Sequence, residues 1–61
     1  MHVNQMGKIA QNIVRAYGLT ESATKDEIRS AVARYSIGAA WDSRVTARIE
    51  MRVRQVLDGE Y

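Results

Sequence analysis

The chain has 61 residues, a net charge of +2, no cysteine, no proline and one histidine, His2. These features exclude disulfides, thiolate metal sites and a Cys–His nucleophile pair. They leave a single domain, residues 1–61, whose core is small, since a chain of this length buries only about 60% of the surface its unfolded form exposes.

With 46% apolar and 26% charged residues, this is a folding sequence and not a disordered tail. Eight alanines and the missing proline make it an all-helical composition. There is no run of 18 apolar residues, and Met1–Gln5 has neither a basic nor an apolar signal region. A cytoplasmic protein without a membrane partner is therefore expected. Its small core, with no disulfide or metal to support it, raises the expectation of a homodimer.

The first helix is expected over residues 4–17. Met6, Ile9, Ala10, Ile13, Val14 and Tyr17 recur at the spacing of one helical face. Asn4 is a candidate N-cap, with Val3 before it as a staple residue. Gly7 costs about 1 kcal/mol against alanine inside a helix, so the ordered part could start near it. Gly18 suits the left-handed residue that ends a helix, and Leu19 supplies the apolar contact of a Schellman ending.

Thr20–Thr24 form a polar connection, with an extra helical turn from Thr20 as the alternative. Thr24-Lys25-Asp26-Glu27 reads as a capping box and starts a second helix over 24–36. Its apolar stripe is Ile28, Ala31, Val32 and Tyr35, with Arg29, Ser30, Ala33 and Arg34 facing away. Gly38 closes it.

The third helix is expected over 42–57, capped by Asp42 or Ser43. Trp41, Val45, Ile49, Val53, Val56 and Leu57 fall on one broad face at about 100° per residue. Arg44, Arg48 and Arg52 recur every four residues along one border, while Glu50 and Arg54 are spaced to pair on the other side. Three helices with short connections make an all-α three-helix bundle, either closed in itself or completed by a second copy.

No catalytic constellation emerges. His2 stands near the chain start, the four glycines form no phosphate loop, and Asp26-Glu27 are accounted for by the capping box. A chain this short also has little room for a pocket of about 300 Å³. No enzyme activity, small-molecule substrate, cofactor or metal site is expected.

The arginine row is the strongest binding signal. Like charges four residues apart cost an isolated helix a few tenths of a kcal/mol, and an anionic partner reverses that cost. On DNA, Arg44, Arg48 and Arg52 would meet phosphates while Ser43, Thr46, Ala47 and Gln55 approached base edges. The plainer reading is that the arginine stems cover the rim of the apolar stripe and keep their heads in water. Likewise Tyr17 and Tyr35 fit core packing better than base stacking, and Trp41 is expected to plug the end of the core. Ala47 and Met51, opposite the core stripe, suit a helix–helix contact with a second copy.

A helix, a short connection and an arginine-rich helix together resemble a helix-turn-helix in order, although Ile37–Trp41 matches its tight glycine turn only loosely. Two functions follow as expectations. One is a small DNA-associated regulatory protein acting as a homodimer. The other is an interaction module whose basic helix docks on an acidic protein surface.

Overall fold

The computed structural model describes residues 3–59, with side-chain environments from Gln5 onward. Three helices make up the fold: α1 (Val3–Tyr17), α2 (Lys25–Tyr35) and α3 (Ser43–Leu57). The helices α1 and α3 have fifteen residues each and α2 has eleven, so the shortest one bridges the two longest.

Local chemistry sets the helix ends. At α2 both halves of the capping box form: the Glu27 N–H donates to Thr24 Oγ1 at 3.1 Å and the Thr24 N–H donates to Glu27 Oε1 at 3.2 Å. Asp42 caps α3, its Oδ1 accepting from the Val45 N–H at 2.9 Å. At the end of α1, Gly18 has φ +62° and the Leu19 N–H reaches back to the Val14 carbonyl at 3.0 Å, which is the Schellman bond. Leu19 packs against the core as that motif requires.

The start of α1 differs from expectation. The helix already includes Val3, so Asn4 lies within its first turn and is not the cap; any cap precedes the described residues. Gly7 is buried in mid-helix and does not mark the start. Burial of its neighbour Met6 offsets the glycine penalty. Thr20–Ala23 form a turn and no extra helix: the Ala23 N–H bonds the Thr20 carbonyl at 2.9 Å, and Ala23 is itself buried.

The core draws on all three helices. Ile13, Val32, Ile49 and Val53 are fully buried, and Met6, Ala10, Ala23, Ile28, Ala31 and Leu57 surround them. Trp41, Val45 and Val56 pack at the margin as the broad face of α3 predicts. Tyr17 does not join the core: it is 40% exposed, because Gly18 turns the chain away and Leu19 fills the space instead. No polar side chain is buried among the described residues, so the interior is entirely apolar. The Cα radius of gyration of 10.3 Å matches the roughly 10.5 Å expected for a globular chain of this length. All three helices of the chain contribute to one core, and α3 packs mainly on α1.

The α2–α3 connection spans residues 36–42, longer than a tight helix-turn-helix turn. Two of its residues are left-handed, Gly38 at φ +83° and Ala40 at φ +56°. Trp41 and Tyr35 stack across its ends with ring centroids 6.2 Å apart, which holds the connection in place. Ala40 is exposed, so its strain has no packing role. Ala40→Gly is expected to leave stability unchanged or raise it by up to about 1 kcal/mol, whereas Ala40→Val lowers it by more than about 1 kcal/mol. Urea midpoints of the two variants check this. Equal midpoints would show that the bend carries no strain.

Candidate functional site

The four arginines of α3 have three different fates. Arg54 is structural. Its Nη1 donates to the Ala23 carbonyl at 2.9 Å and its Nη2 to the Glu21 carbonyl at 3.0 Å, while Asp58 Oδ1 accepts from Nη2 at 3.0 Å. One guanidinium fork therefore staples the α1–α2 connection to the end of α3. Loop carbonyls lack helical partners and must be satisfied elsewhere, and a planar fork can serve two at once.

This overturns the expected Glu50–Arg54 pair. Glu50 instead faces α2 and approaches the Arg29 Nε at 3.7 Å. Two carbonyls and a carboxylate offer Arg54 more than one surface carboxylate, whose pairing within a helix is worth a few tenths of a kcal/mol. Arg54→Ala is expected to cost about 1–2 kcal/mol, since it leaves the part-buried Ala23 carbonyl unpaired, and Arg54→Lys should recover little of it. Thermal melts of both variants test this, and full rescue by lysine would show that charge alone matters.

Arg52 is half-buried, and its Nη1 donates to Gln55 Oε1 at 3.2 Å. Arg44 and Arg48 are exposed and form no hydrogen bond or ion pair with the described residues. With about 100° per residue, Gln55 falls between Arg44 and Arg48, and Met51 stands beside Arg44. The structure thus brings Arg44, Arg48, Arg52 and Gln55 onto one side of α3.

Ser43 and Thr46 do not share that side. Thr46 projects from the opposite flank, half-buried, and its Oγ1 donates to the Asp42 carbonyl at 3.0 Å. Ser43 is exposed in the first turn, next to the capping carboxylate of Asp42.

Met51 is the centre of this surface. It is 61% exposed and forms a ridge between two grooves. A groove of about 500 Å³ between α2 and α3 has Ile28, Ala47 and Met51 as its apolar part and Lys25, Arg29, Glu50 and Arg54 around them. A smaller one of about 280 Å³ is formed by Met6, Arg48, Met51, Arg52 and Gln55. The room is greater than the chain length suggested, because both clefts are surface grooves open to solvent and not enclosed cavities. Across both grooves five cationic side chains face one carboxylate, Glu50. Sequence spacing had placed Met51 and Ala47 opposite the core, but the groove needed α2 beside them. Ile37, 82% exposed on the α2–α3 connection, carried no periodic signal at all.

The arrangement offers cationic and apolar contact and no acid–base or nucleophilic set among the described residues. Among the described residues no helix is long and apolar enough to cross a membrane. The chain matches no family model, no curated protein and no solved structure.

Proposed function

We propose that the chain is a small non-enzymatic binding protein, a DNA-associated regulator that holds the phosphate backbone along the Arg44–Arg48 edge of α3 and pairs with a second copy of itself. One observation carries this reading: two neighbouring exposed arginines have no partner among the described residues while Arg54 is engaged by the fold. Unpaired guanidinium groups on one helix edge suit phosphate oxygens, which they can bind in a fork.

Base reading is a small part of this proposal. Thr46 is on the far flank with its hydroxyl engaged, and the Gln55 oxygen is taken by Arg52. Asp42 puts a carboxylate at the α3 N-terminus, where a helix-turn-helix protein would present that end to the bases. The helix therefore lies lengthwise on the backbone and binds duplexes with little sequence preference. The cysteine-free sequence suits a cytoplasmic setting for such a protein.

Gel-shift titration of two unrelated duplexes at two salt concentrations tests the reading. Equal, salt-sensitive retardation supports it, and no retardation at low salt removes it. The exposed Met51 among cations favours the second reading, docking on an acidic protein surface. Failure of both duplexes to bind would remove the first reading and leave this one standing.

A further inference from the structure

We infer that the chain associates head to tail with a second copy, so that Met51 of one copy enters the depression beside Tyr17 of the next. The inference rests on the self-association proposed above and gives it a geometry.

The two flanks of α2 differ in sign. On the α3 side the ridge of Met51 is bordered by Lys25, Arg29, Arg48 and Arg52, with Glu50 as the one carboxylate of the two grooves and already drawn to Arg29. On the other side a depression of about 370 Å³ lies against Tyr17, Leu19 and Ala31, and Asp26, Glu27 and Arg34 border it. Asp26 has no hydrogen bond or ion pair with the described residues, and Glu27 is engaged only in its capping box. Among the described residues outside the α2–α3 connection, Met51 and Tyr17 are the exposed large apolar side chains; cations predominate around the first, and two carboxylates against one arginine border the second.

A two-fold pairing of ridge on ridge would set Arg48 and Arg52 against their own copies with no free acid between them, and such juxtaposition is repulsive. Head-to-tail docking instead places Met51 on Tyr17, Leu19 and Ala31 and brings the cationic border to Asp26 and Glu27. The pair then keeps one unused ridge on one copy and one unused depression on the other. The contact is heterologous and grows beyond two chains unless it closes into a ring.

Surface area limits its strength. The chain exposes 4332 Å², and a standard interface takes about 800 Å² per partner, roughly a fifth of it. Two such faces would consume over a third of the molecule. The contact is therefore smaller than standard, weak, and weakened further by salt.

Sedimentation velocity from micromolar to millimolar concentration is the test. Wild type should show a mass that rises past two chains. Met51→Asp and Tyr17→Asp should each remain monomeric with helical signal intact, and Asp26→Lys, which leaves the Tyr17 ring in place, should show the same loss. An equimolar mixture of Met51→Asp and Tyr17→Asp retains one intact ridge and one intact depression per pair, so it should form two-chain species and stop there. A plateau at two chains that is abolished by Met51→Asp and indifferent to Tyr17→Asp and Asp26→Lys would overturn the head-to-tail geometry while leaving self-association standing. A monomer at every concentration would overturn both.

Discussion

Replacing Ile49 by alanine is expected to remove most of the stability of this protein. Ile49 is fully buried at the middle of α3, among Ile13 of α1 and Val32 of α2 in one apolar core. Truncating such a side chain costs about 2–5 kcal/mol, the sum of lost transfer energy and the cavity left behind. A chain of this length has roughly 3–9 kcal/mol in total. No buried polar network or disulfide shares the load among the described residues, so the loss is not compensated elsewhere. Urea denaturation followed by far-UV circular dichroism measures it. A loss below about 1 kcal/mol would mean that the three helices do not share one core.

The second large effect concerns binding. If Arg44 and Arg48 each neutralise one phosphate, they contribute about −1.8 per chain to the slope of log affinity against log salt. Raising salt from 50 to 200 mM would then cost about tenfold in affinity through these two side chains alone. Arg44→Ala/Arg48→Ala should flatten the slope by about that amount and weaken binding of every duplex alike. The same substitutions should leave the melting temperature nearly unchanged, because neither side chain has a partner among the described residues. Arg54→Ala is the contrasting control: it should lower stability and change the slope little. A double variant that binds with an unchanged slope would remove nucleic acid from the α3 edge.

How much of this was legible beforehand can be judged residue by residue. The Thr24–Glu27 box, the Asp42 cap and the Gly18–Leu19 ending are contacts between close neighbours in sequence, so spacing alone reveals them. The core stripes were equally legible, because one periodicity selects Ile13, Ile28, Val32, Ile49 and Val53. Asn4 as a cap failed because the helix already includes Val3, and the apolar spacing that begins at Met6 does not mark that earlier start. Tyr17 in the core failed because its spacing fits the stripe, whereas the chain leaves the helix there.

The candidate surface was only half legible. Arg44, Arg48 and Arg52 look equivalent at intervals of four, and Arg54 looks like the partner of Glu50. What separates them is distance in sequence: Arg54 meets Glu21 and Ala23, and Glu50 meets Arg29, contacts that exist only once α2 and α3 are packed. The sequence by itself determined three amphipathic helices, their caps and their apolar faces, because short-range hydrogen bonding and helical period act within a few residues. Only the tertiary structure decided that Arg54 is consumed by the fold, that Arg44 and Arg48 have no partner among the described residues, and that Met51 rises between two clefts, because those outcomes depend on which carbonyls and carboxylates the packed helices bring within reach.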